Sequence, residues 1–310
     1  NCHIVNSAIS KNDGKKYKII NNSLLNAASV PEAIIFKNKT LLYYVNGDFD
    51  QHSIFVSEVS KDGKSASIIG PIKLNGEIIK DAVDPDLIIT SEGKLRLFYY
   101  VGLFTKPVMG KKPNKIYSAV SEDGVNFRIE GPVVSLDGGT DPTVVQLLNG
   151  SLLLAIPQAE KLNIQFYNSV DGKVFSKLSS LKGGIPELAL NNEGNPELLF
   201  QEAEGFVRYT SLNSGKSWKK TNKNVLAGYP IGAASPTVIR VTKKERKMFF
   251  FKIKDNCTTP PTAYLEDKDA LKKLAERSRG KPPLGDGVKP PAGGNATGKP
   301  PLGDGVKPPA

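Results

Sequence analysis

The sequence predicts an all-β fold: a five-bladed β-propeller closed by N-terminal strands that complete the last blade, followed by a short helix and a Pro-rich extended tail. Two motifs predict the blades, because each recurs five times and the two alternate along the chain. A change of composition after Cys257 predicts where the propeller ends. Repeats of about 40–50 residues are typical of propellers, in which each repeat forms one blade.

The first motif is a proline followed by an apolar strand, a turn and a second apolar strand. Its copies are centred on Pro31, Pro85, Pro142, Pro186 and Pro236. Their separations of 54, 57, 44 and 50 residues suit four strands and their turns in each unit. We therefore place these prolines at the start of the innermost strand of five consecutive blades.

The second motif is a turn that falls between the proline-led strands. It reads Ser-x-Asp-Gly-x-x-aromatic at 121–127 and 169–175, with looser copies that begin at Ser10, Ser60 and Ser211. Asp or Asn bonds its own backbone and Gly supplies a positive φ, which is the chemistry of a tight hairpin. These turns resemble the Asp-box turns of sialidase-type propellers, a motif that marks a fold rather than an activity.

The order of the two motifs predicts how the ring closes. The first Ser-Asp turn precedes every proline-led strand, and the last proline-led strand has no such turn after it. The two ends of the domain should therefore share the last blade, with 3–10 and 17–20 beside 237–241 and 247–253.

Two cysteines, Cys2 and Cys257, should meet at this junction, where a disulfide would replace the covalent loop of the other blades. In the chain-entropy model it would stabilise the fold by about 4–5 kcal/mol. The alternative is two free buried thiols.

The cysteine pair, and a sequence that begins at Asn1 rather than Met, lead us to expect a processed protein that is secreted or at the cell surface. Five Asn-x-Ser/Thr sequons would fit a glycoprotein: Asn21, Asn38, Asn149, Asn256 and Asn295.

The chain divides into three regions. The propeller is assigned to 1–257, and 258–279 to a linker and a short amphipathic helix. The region 280–310 carries GKPPLGDGVKPPA twice, a Pro/Gly-rich composition that cannot bury a core. It is either a flexible linker or stalk, or an arm through which copies assemble.

Charge and motif content exclude several function classes. The net charge of +11 is spread as single lysines, which protects strand edges rather than forming a nucleic-acid groove. There is no Gly-rich phosphate loop and no run of 18 apolar residues, so we expect neither a nucleic-acid partner nor a membrane span. The two histidines, His3 and His52, show no metal-ligand spacing. No cofactor is predicted; a Ca²⁺ ion bound among the acidic residues is the alternative, although no motif supports it.

The predicted site is an axial funnel at the starts of the proline-led strands. Four blades place carboxylates there and the fifth offers Ser235: the acidic residues are Glu32, Asp84, Asp86, Asp141 and Glu187. Neighbouring carboxylates raise one another's pKa, so one can hold a proton while another stays ionised, as glycoside hydrolysis requires. The alternative for Asp84 and Asp141 is a capping role, in which they accept backbone N–H bonds at strand entries.

Residues 25–255 resemble the five-bladed propeller glycosidases, namely the arabinanases and β-xylosidases of glycoside hydrolase family 43 and the invertase group. Thr140-Asp141-Pro142 is similar to their third-blade motif, and Val83-Asp84-Pro85-Asp86 to their second-blade stretch. Ile185-Pro186-Glu187 can stand for the fourth-blade acid, although Glu187 directly follows proline rather than lying among glycines. Val30-Pro31-Glu32 differs more from the first-blade motif of that group. The expected Asp is replaced by a glutamate, Glu32, which lies one position after the proline.

The resemblance implies a catalytic trio of Glu32 as base or nucleophile, Asp141 as the residue that orients and tunes, and Glu187 as acid. The remaining candidates are expected to bind substrate: Asp84, Asp86, Asp48, His52, Phe104, Tyr229 and Arg240. A sialidase is not expected, because only Arg240 lies near a suitable strand and that chemistry needs several arginines.

The expected function is that of a secreted, glycan-directed propeller, a retained or decayed glycosidase with carbohydrate or polysaccharide as partner. The alternative is a non-catalytic extracellular structural or binding subunit that self-assembles through residues 258–310. An open funnel with Glu32, Asp141 and Glu187 about 5–10 Å apart would favour hydrolysis. A funnel filled by side chains would favour the alternative.

Overall fold

The computed structural model describes residues 2–47, 52–102, 113–158, 161–202, 205–230 and 232–254. These residues form 22 strands in five sheets, so the described fold is an all-β, five-bladed propeller as predicted. No helix among them is long and apolar enough to cross a membrane. The predicted helix and Pro-rich tail lie outside the described residues.

The five sheets are the five blades, and the predicted proline-led strand is an edge strand of each. Blade 1 contains β3 (Ala28–Phe36), β4 (Lys39–Asn46), β5 (Ile54–Val59) and β6 (Ala66–Pro71). Blade 2 contains β7 (Lys73–Leu74), β8 (Ala82–Ile89), β9 (Leu95–Val101), β10 (Asn114–Ser121) and β11 (Asn126–Leu136). Blade 3 contains β12 (Thr143–Gln146), β13 (Leu152–Gln158), β14 (Asn163–Ser169) and β15 (Ser176–Lys182).

The remaining strands complete the ring. Blade 4 contains β16 (Pro186–Leu190), β17 (Pro196–Glu202), β18 (Gly205–Thr210) and β19 (Lys219–Asn222). Blade 5 contains β20 (Leu226–Ala227), β21 (Ala234–Arg240), β22 (Arg246–Ile253), β1 (His3–Ser10) and β2 (Tyr17–Asn26). The first strands of neighbouring blades contact one another, β3 with β8, β8 with β12, β12 with β16, β16 with β21 and β21 with β3, so they surround a common axis.

Blade 5 is built from both ends of the described chain, with strand order β20-β2-β1-β22-β21. Strand β1 pairs antiparallel with β22 from His3↔Ile253 to Ser10↔Arg246 without a register shift. Beyond the strands, the Lys254 N–H donates to the carbonyl of Cys2 at 2.8 Å. The ring therefore closes through main-chain hydrogen bonds. Cys257 lies outside the described residues, so its disulfide with Cys2 stays a prediction.

Apolar side chains on both faces of the strands pack each blade against its neighbours. In β9, for example, Leu95, Leu97, Phe98 and Tyr99 are all buried, because a blade is covered on both sides. Burial on two faces explains why these strands read as continuous apolar runs rather than as alternating patterns.

The Ser-Asp turns are held by side-chain bonds to their own backbone. The Ser121 hydroxyl accepts the Gly124 N–H at 2.8 Å and donates to Asp123 Oδ1 at 3.0 Å. In the first turn Asn12, rather than Asp13, accepts from the Ser10 hydroxyl, at 2.8 Å. Asp13 is thereby left to contact arginines of the neighbouring strands.

Candidate functional site at the propeller axis

The proline-led strands place two rings of side chains around the axis. The residues directly after the prolines form what we call the inner ring: Glu32, Asp86, Thr143, Glu187 and Thr237. The residues directly before the prolines form the entry ring: Val30, Asp84, Asp141, Ile185 and Ser235. Each blade contributes one residue to each ring, and all of these residues except Thr237 line one cavity.

Strained backbone positions the entry ring. Val30, Asp84, Asp141 and Ser235 have φ values of 45°, 54°, 44° and 43°. Register shifts next to the prolines, as between Val83 and Asp86, show that the strands bulge there. A non-glycine residue in this region costs about 1–3 kcal/mol and persists only where its surroundings enforce it. The repeated strain is therefore a property of the axis, shared by four blades.

Threonine hydroxyls join the acidic members of the inner ring. Thr237 Oγ1 lies 2.8 Å from Glu32 Oε2 and 3.2 Å from Glu187 Oε1. On the other side of Glu187, Thr143 Oγ1 lies 3.3 Å from its Oε2. A hydroxyl carries one proton and can donate it to only one of two carboxylates at a time. The inner ring thus offers fewer donors than its carboxylate oxygens can accept.

The three inner-ring carboxylates crowd together away from solvent. One oxygen from each of Glu32, Asp86 and Glu187 lies within 4.8 Å of the other two, and the residues are 4–7% exposed. Backbone N–H groups of Val144 and Val238 donate to Asp86 and Glu187, each at 3.1 Å. Burial raises the pKa of all three carboxyls, and repulsion between them raises the pKa of Glu32 and Glu187 further.

The entry ring contains the second acidic pair. Asp84 Oδ2 accepts the backbone N–H of Asp141 at 3.2 Å, so Asp84 caps the strand entry of the next blade. Oδ1 of Asp84, Oδ1 of Asp141 and Oγ of Ser235 are buried without a hydrogen-bond partner among the described residues. Burial raises the pKa of both carboxyls, and the charge of Asp141 adds to the rise at Asp84.

The cavity between the rings has a volume of about 20 Å³. That space holds about one water molecule, whereas small-molecule sites span about 300–1,000 Å³. The predicted trio is therefore divided: Glu32 and Glu187 meet in the inner ring, and Asp141 lies in the entry ring. The described residues leave no space for a sugar ring among these three carboxylates.

The residues predicted to bind substrate have different surroundings. Asp84 and Asp86 line the axial cavity. His52 Nδ1 lies 3.0 Å from Asp81 Oδ1, and the hydroxyl of Tyr229 donates to the Ala233 carbonyl at 2.6 Å. Asp48 and Phe104 lie outside the described residues.

Arg240, another predicted substrate-binding residue, contacts the first Ser-Asp turn and the turn after β16. It ends β21, the strand that begins beside the axial proline, and its Nη1 lies 2.7 Å from Asp13 Oδ1 and 2.6 Å from Asn192 Oδ1. It lies at the opposite end of β21 from Pro236, and its role in binding substrate stays a prediction.

The sequon asparagines among the described residues differ in how accessible their side-chain amides are. Asn38 and Asn149 are exposed in the turns after β3 and β12. The amide of Asn21 instead donates to the Lys64 carbonyl at 2.7 Å, a bond that a glycan on that nitrogen would have to displace. Asn256 and Asn295 lie outside the described residues.

Thr143 and Thr237 were missed by sequence reasoning, which looked for acids alone. The signal was present, since both threonines follow a strand-entry proline at the position that carries an acid in the other three blades. Comparing that one position across all five repeats would have found the complete inner ring.

We predict that Thr237→Val destabilises the fold by about 1–3 kcal/mol, because it removes the hydroxyl that donates to the buried Glu32 Oε2, whereas Glu187 keeps the Val238 N–H. Thr237→Ser keeps the hydroxyl and is the matched control. Urea unfolding of the two variants measures the difference. Equal stability of the valine and serine variants would show that the hydroxyl contributes nothing.

Comparison with known proteins identifies the fold. No protein-family model and no curated protein matches the sequence. Among solved structures, a family 43 α-L-arabinofuranosidase from Clostridium thermocellum is 14% identical, covers 70% of this chain and 79% of its own, and has a TM-score of 0.53. A family 117 glycoside hydrolase from Zobellia galactanivorans is 12% identical, covers 83% and 93%, and has a TM-score of 0.52.

A family 32 β-fructofuranosidase from Bombyx mori is also similar, at 17% identity and a TM-score of 0.54. The likeness covers 73% of this chain and 55% of that longer one. The resemblance to five-bladed glycosidase propellers is therefore confirmed for the fold. At these sequence identities the structural similarity establishes the fold alone. The activity has to be argued from the geometry of the site.

Proposed function

We propose that this chain is a glycan-directed propeller that binds carbohydrate without hydrolysing it. The observation that carries the proposal is the closed axis, where acids that could serve hydrolysis surround a cavity of about 20 Å³. The shared fold with glycoside hydrolases supports carbohydrate as the partner.

Hydrolysis needs two carboxyl groups with the scissile bond between them, about 5–5.5 Å apart for retention or about 6.5–9.5 Å for inversion. Here an oxygen of Glu32 and one of Glu187 lie within 4.8 Å, and the Thr237 hydroxyl contacts both carboxylates. A substrate would have to displace that hydroxyl and enter a space the size of one water. This arrangement favours a role in binding over one in cleavage.

The proposed binding surface is the face of the propeller on which the prolines lie. In blades 1 and 2 the end of the second strand pairs with the start of the first, as in Ala28↔Asn46 and Ala82↔Val101. The connections that follow these second strands therefore leave from the proline face. Asp48 and Phe104, two predicted binding residues outside the described ranges, follow these two strands in the sequence.

Secretion and the Cys2–Cys257 disulfide form part of the same proposal. The hydrogen bond between Lys254 and Cys2 supports the pairing, because it brings the chain to within three residues of Cys257 at the closing junction. Assembly through residues 258–310 stays a prediction.

The test is a screen of the purified chain against plant and algal polysaccharides. Affinity electrophoresis would measure binding, and a reducing-sugar assay would measure cleavage. We expect retardation by at least one polysaccharide with no release of reducing ends, and the same retardation for Asp141→Asn. Release of sugar that is lost in Asp141→Asn would establish hydrolysis and overturn the proposal. Failure to bind any polysaccharide would overturn the glycan assignment.

A further inference from the structure

We propose that a groove between blades 2 and 3 binds the carboxylate or sulfate group of an acidic sugar through Arg128 and Lys173. The groove lies on the outer part of these blades, away from the axis, so it adds a second carbohydrate contact to the proline face. The sugar part of the inference rests on the proposed function. Three features carry it: an open cavity, two cationic side chains without partners, and a wall acid whose charge is already paired.

The cavity in this groove has a volume of about 240 Å³, against about 20 Å³ at the axis. Its wall is the stretch from Arg128 to Val133 in β11, the outermost long strand of blade 2. Lys173, from the Ser-Asp turn of blade 3, lines the same cavity. Binding sites for small molecules span about 300–1,000 Å³, so this groove suits one small unit, such as a single sugar ring.

A bulge in β11 opens the groove. The pairing of β10 with β11 shifts between Ser118 and Ala119, and Glu130 is the extra residue that results. An extra residue bends its strand and breaks the regular ladder, and here the neighbouring Gly131 adopts a φ of 126°. A Cβ atom at Gly131 would meet nothing within 4 Å. The space beside the bulge is therefore open.

The acid in the wall of the groove is already paired. Arg96 Nε and Nη2 donate to the two carboxylate oxygens of Glu130 at 3.0 and 3.3 Å. The hydroxyl of Ser118 donates to the same carboxylate at 3.1 Å. Arg96 Nη1 also donates to the carbonyl of Asp171 at 2.9 Å, which holds the Ser-Asp turn of blade 3 against blade 2. Glu130 therefore supplies no free negative charge to the cations of the groove.

The two cationic side chains of the groove have no such partner. Arg128 and Lys173 are both exposed, and within the described ranges neither side chain forms an ion pair or a hydrogen bond. Like charges beside one cavity repel each other, and a bound anion would remove that repulsion. The guanidinium fork of arginine matches two oxygens of a carboxylate or sulfate, and a lysine adds a point charge. This pair favours an anionic group as the ligand.

The rest of the lining favours a sugar as the carrier of that group. Ile129, Pro132 and Val133 line the same cavity and offer apolar contact to the C–H face of a sugar ring. Pro132 is exposed, so a polymer can continue from the groove into solvent. A free inorganic anion would leave the apolar part of the groove unused, whereas an acidic unit of a polysaccharide would use both parts.

The test compares charged polysaccharides with uncharged forms of the same backbone. The probes are homogalacturonan and its methyl-esterified form for a carboxylate, and ι-carrageenan and its desulfated form for a sulfate. In affinity electrophoresis of the full chain, at least one charged form should retard the protein more than its uncharged counterpart. The difference should shrink as salt is added, because salt screens exposed charges. Equal retardation by the charged and uncharged forms of both pairs would overturn the inference and leave the glycan proposal standing.

Variants then separate the groove from the net charge of +11. Arg128→Ala combined with Lys173→Ala removes both cations, so affinity for the charged oligosaccharide, measured by titration calorimetry, should fall on the order of tenfold or more. Lys216→Ala combined with Lys244→Ala is the matched control, because it removes two exposed lysines from turns of blades 4 and 5. All four side chains are exposed, so Tm should stay unchanged in both double variants.

The outcomes distinguish this inference from the proposed function. The groove variant should keep its binding to uncharged polysaccharides while it loses its preference for the charged form. An equal loss of affinity in the two double variants would mean that net charge alone attracts the polymer, and the groove would be rejected. Failure of every polysaccharide to bind the wild type would instead overturn the glycan assignment, and the sugar part of this inference with it.

Discussion

Replacing Arg246 with methionine is expected to destabilise the propeller by about 3–5 kcal/mol, because it breaks a buried ion-pair network. The Arg246 side chain is 2% exposed, and its Nη1 lies 2.5 Å from Glu197 Oε2, itself 5% exposed. Its Nε also donates to Asp13 Oδ1 at 2.7 Å. Methionine fills much of the same volume but leaves the Glu197 carboxylate with Arg208 as its remaining partner. Chemical unfolding of the wild type and variant measures the loss.

Arg240→Met is the control within the same network. Arg240 also contacts Asp13, at 2.7 Å, but its side chain is 29% exposed. Partial exposure weakens an ion pair, so we expect a loss below about 1 kcal/mol.

Adding Glu197→Gln to Arg246→Met should recover part of the stability, since a neutral amide is less costly to bury than an unpaired carboxylate. Equal losses for the two arginine variants would contradict this account.

The same network explains one limit of the sequence prediction. Asp13 stands in a Ser-Asp turn, and the pattern Asp13-Gly14 suggested that it closes the hairpin. In the structure Asn12 does so, and Asp13 adopts a φ of 58° and faces Arg240 and Arg246. The two arginines lie more than 200 positions away, so no local pattern could reveal the pairing.

The blade count and the closure were predictable because both depend on local chemistry repeated along the chain. A proline at a strand entry and a Ser-Asp turn each have a local physical cause, and their order fixes the shared blade. The state of the axis was not predictable in this way. Whether Glu32, Asp86 and Glu187 frame an open funnel or a closed ring depends on how far five blades converge, and packing over the whole ring sets that distance.

The closed axis and the glycosidase fold are compatible. In a propeller the first strands are held by contacts between neighbouring blades, so the side chains at their entries can change while the blades remain. Here the inner ring uses its acids to accept hydrogen bonds from Thr143, Thr237 and the backbone of adjacent blades. The axis thereby acts as a structural element, and the proposed binding of carbohydrate does not depend on it.

Replacing Phe249 with alanine is expected to destabilise the fold by about 3–5 kcal/mol, the range for removing a fully buried phenylalanine. Phe249 is 0% exposed in β22 and packs with Val5 and Leu42, so it lies at the seam where blade 5 meets blade 1. Phe200→Ala is the matched control, since Phe200 is 1% exposed in blade 4 and packs with Phe166 away from the seam. Urea unfolding should give similar losses for the two.

Hydrogen exchange should separate these two variants, because only one of them weakens the closure. Strand β1 is held to β22 by an unbroken ladder and has no covalent connection to it within the described residues. Loss of the Phe249 ring should therefore lower the free energy of detaching β1, and the β1 amides should exchange faster in Phe249→Ala than in Phe200→Ala. Equal protection of β1 in the two variants would mean that the closing blade opens only with the whole ring. The paired strands β1 and β22 would then unfold as cooperatively as the strands of the other blades, which are joined by covalent connections.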